Sequence, residues 1–455
     1  MRRIALLAIA MTITAPGARA HLGSHEIAVR DGYYDPQEMR IDAGETVTWN
    51  ALAQGHTITA DDGRFDFPGD RLTRQGDQHQ WTFPTDETFF FHCKVHGTMF
   101  GIVVVGAGSP PKQPTDDPPE IRSVPDQYPT IAAAVDGASS GTIVELAPRS
   151  YAEYVRIDVP GLVLRGMGAS PSDTMIEGGS VRGVGLTVEA PGVLIERLTV
   201  RRTTFAGIFV NGAERVTVSD VVLESNDQYG IRMVGVRGGV IRRVHATRSA
   251  RAGVSIASCL VCDVVVEDAL LELNMAGVAI TDASNVVVRR SLIRRNGTGI
   301  AIRSLITGDQ APQRGAHIHG NTIEDNTYFP VTPPALSAEL EVTTGTGIWL
   351  SGAQHVLIAS NAVHGHLYDI AVADLTVLPS LAVRVVANEV GDGTAADLAW
   401  DGIGAAVCFS DNARADGTPA TSEPPALQIT AGCGPLPAAG IPYPIIAARM
   451  LAFSR

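Results

Sequence analysis

Three residues able to bind a metal are spaced by three in a single short loop: Cys93, His96 and Met99, within Phe91-His92-Cys93-Lys94-Val95-His96-Gly97-Thr98-Met99-Phe100-Gly101. A fourth, His56, lies upstream in Gly55-His56-Thr57-Ile58. A thiolate, two imidazoles and a thioether are the donor set of an electron-transfer copper centre. The thiolate is soft and stabilises Cu(I), while imidazole accepts either oxidation state. Three donors on a tight loop and a fourth on a neighbouring strand would hold the site with little rearrangement on redox change. Phe89, Phe90, Phe91 and Phe100 would keep water away from it. A lone cysteine is more often a core residue. Here the full spacing falls at a strand end with an upstream His-Thr, which favours one copper per chain.

The elements that must position these donors are short strands separated by turns. Glu26-Ile27-Ala28-Val29 alternates and is followed by Asp31-Gly32; Asp42-Ala43-Gly44-Glu45 turns into Thr46-Val47-Thr48-Trp49, which has β-branched and aromatic residues. Gln80–Phe83, Thr88–Phe91 and Gly101–Val105 follow. Closely spaced strands of this kind predict a small sandwich or barrel. Over residues 24–105 the segment resembles the cupredoxin family, most closely the plastocyanin, amicyanin and pseudoazurin type. The resemblance is carried by Gly44–Asn50, Gly55-His56-Thr57 and the Cys93, His96, Met99, Gly101 loop. It implies a type 1 copper site with His56, Cys93 and His96 as strong equatorial ligands and Met99 as the weak axial one. It also implies one-electron transfer, although some members store or deliver copper. Phe91 stands where tyrosine is frequent.

Residues 107–119 are proline-rich, a semi-rigid spacer between domains. Beyond it, Tyr128–Asp136 reads as a short amphipathic helix and Thr142–Leu146 as a strand. A glycine followed by an alternating strand then recurs at Gly185, Gly207, Gly230, Gly253, Gly277, Gly299 and Gly347. The separations are 22, 23, 23, 24 and 22, then 48 across an insertion. A fixed period near this length signals a solenoid. Asn226, Asn274, Asn296 and Asn326 each stand at the end of a coil, where stacked amides can hydrogen-bond along the axis. Over residues 120–410 the chain resembles the right-handed parallel β-helix superfamily of pectate lyases. That fold hosts lyases, hydrolases, esterases, epimerases and binding scaffolds, so it implies no single activity.

Two insertions, Leu305–Arg314 and Thr327–Thr344, place irregular loops on one region of the solenoid. His317 and His319 flank Ile318 and should point outward together. A second metal site there is one reading, and paired surface histidines are the other. Glu324, Asp325 and Asp369 are the best candidate acids, and they read as solvated turn residues rather than the close carboxylate pair that glycoside hydrolysis needs. Recurring arginines, such as Arg201-Arg202 and Arg289-Arg290, could meet acidic sugars; the favoured reading is edge charge that prevents aggregation.

The whole chain is expected to be all-β: a cupredoxin β-sandwich followed by a right-handed parallel β-helix solenoid. Residues 1–20, with Arg2, Arg3, a short apolar run and Ala18-Arg19-Ala20, read as a secretory signal. The expected organisation is then sandwich 21–106, linker 107–119, β-helix 120–410 and a tail 411–455 that closes the last coil. The net charge of −13 excludes a nucleic-acid partner, and no stretch is long enough to span a membrane. The expected compartment is exported, periplasmic or secreted, where disulfides persist. Of five cysteines, Cys259 and Cys262 read as a turn disulfide, with a redox or copper-handling pair as alternatives; Cys408 and Cys433 join the last coil to the tail; Cys93 is left for copper. The function expected is electron carriage with a redox protein partner, rather than hydrolase or lyase activity. The alternatives are a carbohydrate-active β-helix, binding or cleaving polysaccharide with an auxiliary copper domain, and periplasmic copper delivery.

Overall fold

The computed structural model describes residues 25–30, 33–35, 38–60, 64–69, 72–84, 88–94, 100–105, 119–305, 313–328, 344–374 and 378–433. The expected signal at 1–20, His96, Met99, nearly all of the proline-rich spacer and most of both expected insertions lie outside these residues. The chain divides into two compact units, residues 1–113 and 114–455.

The first unit is a two-sheet sandwich. One sheet has four strands in the order Tyr33–Asp35, His25–Arg30, Thr46–Ala51, Gln78–Thr82. The other has five, in the order Glu38–Ile41, Phe100–Val105, Thr88–His92, Ile58–Ala60, Asp66–Phe67. Thr46–Ala51 is buried on every second residue, as the period of two requires. Between the sheets, Trp49 contacts Phe65, Phe83 and Phe91. Gly101 pairs with Phe91 across the sheet, and a Cβ at Gly101 would lie 2.2 Å from the Phe91 ring. Only glycine leaves room for the tip of that ring.

The second unit winds through three parallel sheets of 12, 10 and 11 strands. One coil runs Ala206–Asn211, Glu214–Ser219, Val222–Glu224, and each strand pairs in parallel with its counterpart one coil later. Ile208, Val210, Val216, Val218 and Leu223 point inward and are essentially inaccessible to solvent. No coil could bury these residues alone, so stacking is what stabilises each one.

The coil glycines answer to a steric limit. A Cβ at Gly230 would lie 2.5 Å from the carbonyl oxygen of Gly253, and at Gly299 2.3 Å from that of Gly347. Beside this column runs the expected asparagine ladder. Asn274 Nδ2 donates to Asn296 Oδ1 at 3.1 Å, and Asn296 Nδ2 to Asn326 Oδ1 at 2.8 Å. A second ladder, absent from the sequence-based expectation, occupies another turn: Asn321 donates to Asn361, Asn361 to Asn388 and Asn388 to Asn412, at 2.8–2.9 Å. Each amide satisfies backbone groups that the turn would otherwise bury unpaired. Helix Ile131–Val135, N-capped by Thr130, packs Ile131, Ala134 and Val135 into the first coils. At the other end, helix Leu427–Thr430 buries Leu427, and Gln428 accepts from Asn412 to end the second ladder.

Candidate metal centre

His56 is separated from strand Ile58–Ala60 only by Thr57, and Cys93 directly follows strand Thr88–His92. These strands are antiparallel neighbours with Thr59 opposite His92. That register carries His56 and Cys93, 37 residues apart in sequence, to a separation of 3.9 Å between Nδ1 and Sγ. Both side chains are buried, at 0% and 1% exposure. Metal–nitrogen and metal–sulfur bonds of about 2.0–2.3 Å together exceed that gap, so one ion can touch both donors.

The surrounding hydrogen bonds fix the pair. Thr73 holds the His56 backbone on both sides: His56 N–H donates to Thr73 Oγ1 at 3.0 Å, and Thr73 N–H donates to the His56 carbonyl at 2.8 Å. The Thr57 amide donates to Cys93 Sγ at 3.3 Å. An N–H aimed at sulfur offsets part of the negative charge that a thiolate ligand carries. Lys94 N–H donates to Thr57 Oγ1 at 2.8 Å, and the Tyr34 hydroxyl donates to the Thr57 carbonyl at 2.5 Å. In the sequence Thr57 stands out only as the neighbour of His56, and Thr73 and Tyr34 do not stand out, since their supporting roles arise only when distant segments pair. A soft sulfur beside an imidazole in a water-excluded pocket fits copper. His96 and Met99 remain expected ligands on residues that the structure does not describe.

The solenoid holds further histidines away from this pocket, two groups of which bear on the sequence-based expectations. His317 and His319 share a face of strand His317–His319, with ring centroids 4.3 Å apart. Burial pushes His317 down to about 4, helped by the positive fields of His319 and Arg289. Burial and the two arginines Arg289 and Arg290 also lower His319. Among the described residues no group of three or more His, Cys, Asp and Glu is arranged to hold a metal ion.

Asp369 corrects an expectation. It is not a solvated turn residue but is fully buried, one coil beyond Gly347 in the glycine column. Its Oδ1 lies 2.8 Å from His366 Nδ1, and its Oδ2 accepts from the Gly391 amide at 2.9 Å. His366 Nε2 meets Asn326 Nδ2 at 3.1 Å, so the pair terminates the first asparagine ladder. Burial raises Asp369 to about 8 and lowers His366 to about 3. Asp325, by contrast, is exposed, and Glu324 is partly so.

The outward arginines are largely neutralised one coil away. Arg165 pairs with Glu196, Arg201 and Arg202 with Glu177, Arg243 with Asp220, Arg289 and Arg290 with Glu267. Cys259–Cys262 and Cys408–Cys433 are disulfides, and Cys93 belongs to neither. Among the described residues no helix is long and apolar enough to cross a membrane.

Fold and site together define the class: a cupredoxin-type sandwich fused to a right-handed parallel β-helix. The right handed beta helix region family matches residues 172–307 and 206–418, more than half of the chain, and the chain belongs to that family. The first unit is similar to halocyanin of Natronomonas pharaonis, 31% identical over 77 residues. That match covers 16% of this chain and 47% of the relative, so the chain spans about half the length of the curated relative it matches. A purple cupredoxin from Nitrosopumilus maritimus is 23% identical, covering 18% of this chain and all of that one, with a TM-score of 0.16. An alginate lyase from Paenibacillus sp. str. FPU-7 is 14% identical, covering 59% of this chain and 94% of that one, with a TM-score of 0.45.

Proposed function

We propose that the first unit binds one copper ion through His56, Cys93, His96 and Met99, and passes single electrons to or from a redox protein partner. The β-helix serves as a binding or docking scaffold. The convergence of the His56 imidazole and the Cys93 sulfur inside a buried pocket carries this reading. The local likeness to halocyanin supports it. Bound there, copper supplies a one-electron couple stabilised in its reduced form by the soft sulfur. The chain's part is to hold the donors still: Thr73 fixes the His56 backbone, Thr57 directs its amide at the sulfur, and the aromatic core keeps water out. The two disulfides and the pattern of residues 1–20 support an exported location.

The test is titration of the full-length protein with Cu(II). Stoichiometric binding with an intense visible sulfur-to-metal absorption is expected, abolished in Cys93→Ala and His56→Ala and shifted but retained in Met99→Leu. Wild-type protein that binds no copper, or binds it without that absorption, rejects the proposal. Fast loss of the metal to another protein without electron exchange would support copper delivery instead.

A second reading concerns the solenoid. Phe205, Phe209 and Tyr229 form an edge-to-face cluster, with the Arg232 guanidinium 4.6 Å from the Tyr229 ring centre. Half-buried aromatic rings beside a cation favour a polysaccharide with acidic groups. Glycan binding by the full chain, weakened in Tyr229→Ala and intact in Cys93→Ala, is the expected result.

A further inference from the structure

Lys94 directly follows Cys93, and its contacts form a closed ring. Its amide donates to Thr57 Oγ1 at 2.8 Å, and its ammonium donates to Asp66 Oδ2 at 2.6 Å. The other carboxylate oxygen, Asp66 Oδ1, accepts from the Thr59 hydroxyl at 2.8 Å. The Thr59 hydroxyl in turn lies 3.3 Å from that of Thr57. The ring therefore runs from Lys94 through Thr57, Thr59 and Asp66 back to Lys94. Thr57 and Thr59 are buried, whereas the ion pair is partly exposed, at 47% for Lys94 and 36% for Asp66. A pair so exposed adds little stability by itself. What the ring fixes is Thr57, the residue whose amide points at the Cys93 sulfur.

We infer that Asp66 is a positioning residue for the Cys93 sulfur, acting through Thr59, Thr57 and Lys94, and that its carboxylate balances the Lys94 charge beside the metal centre. This inference rests on the copper reading above. The physical consequence has a sign. A negative charge near a redox centre stabilises its more positive, oxidised state, so removing that charge raises the reduction potential, and removing a nearby positive charge lowers it. The amide directed at sulfur acts separately, through the energy of the sulfur-to-metal absorption.

The test uses copper-loaded full-length protein. Asp66→Asn keeps an acceptor for Thr59 and loses the charge; the potential rises and the absorption maximum stays in place. Asp66→Ala loses both; the potential rises, the maximum shifts, and a chelator removes copper several-fold faster. Lys94→Gln lowers the potential, and the Asp66→Asn, Lys94→Gln double variant returns close to wild type. A ring that only braces the fold would lower the melting temperature and leave potential and absorption untouched, and that result overturns the inference. Should Asp66→Ala not fold, the Asp66→Asn and Lys94→Gln pair still decides it. Absence of the absorption in wild-type protein is a different failure, because it rejects the copper reading before any variant is compared.

Discussion

The sandwich and the solenoid satisfy buried polar groups in different ways. In the sandwich each important contact is made once: one Thr57 amide meets one sulfur, and one Thr73 hydroxyl receives one His56 amide. In the solenoid one contact is repeated, with the same amide-to-amide bond recurring down a column from Asn321 to Asn412. Unique contacts suit a site that must hold a particular set of donors. Repeated contacts suit a long surface in which every coil depends on its neighbours. The difference should appear when single residues are changed.

The largest effects are expected where a side chain is forced into a space that backbone or ring already fills. Gly299→Val places new atoms against the Gly347 carbonyl and should cost about 3 kcal/mol or more, as overpacking of a rigid site does. Calorimetry of the full chain should show the loss in the solenoid transition, with copper absorption kept. Gly101→Val collides with the Phe91 ring and should do the reverse, removing the absorption while leaving the solenoid transition in place. If both variants weaken both transitions equally, the two units do not unfold separately.

An intermediate effect is expected in the second ladder. Asn361→Ala removes the acceptor of Asn321 and the donor to Asn388 and should cost about 1–3 kcal/mol, the usual penalty for orphaned buried polar groups. Guanidinium denaturation monitored by circular dichroism measures it.

Smaller still is the acid response of the arginine-paired carboxylates. Burial pushes Glu177 up, but hydrogen bonds from Arg202 and Arg201 outweigh it and hold the group at about 2. The Arg243 guanidinium holds Asp220 at about 2. A lowered folded value means the stabilisation is complete above the ordinary carboxylate range, near about 4, and is lost as pH falls toward 2. Melting temperature should therefore drop over that interval, and drop less in Glu177→Gln. The smallest perturbation is chemical: alkylation of unfolded, unreduced apoprotein should label Cys93 alone.

Much of this architecture was readable in advance where a local pattern carries it. Alternation over Thr46–Ala51 marked a half-buried strand, and the spacing of the coil glycines marked the solenoid. The first asparagine ladder was visible because Asn274 and Asn296 recur at one coil's length. The second was hidden by the Thr327–Thr344 insertion, which stretches Asn321 to Asn361 to 40 residues before the spacing settles at 27 and 24. A signal existed in the inward residue two places after the first three asparagines: Ile323, Val363 and Val390. Asp369 was misread as a turn residue for want of register, since its place in the glycine column emerges only once Gly347 is aligned with it. At the candidate metal centre, His56 and Cys93, which the structure brings together, stood out by type and spacing. Their supports did not, because Asp66 and Lys94 are 28 residues apart and meet only through strand pairing.

The two short helices at the ends of the solenoid have a consequence for how the molecule behaves in company. A bare terminal coil offers a row of unpaired amides and carbonyls onto which another parallel strand could add. Helix Ile131–Val135 covers the first such edge, while Leu427–Thr430, tied down by Cys408–Cys433 and with Gln428 occupying the last amide, covers the other. Covering the ends in this way should oppose end-to-end polymerisation of the stack into fibres.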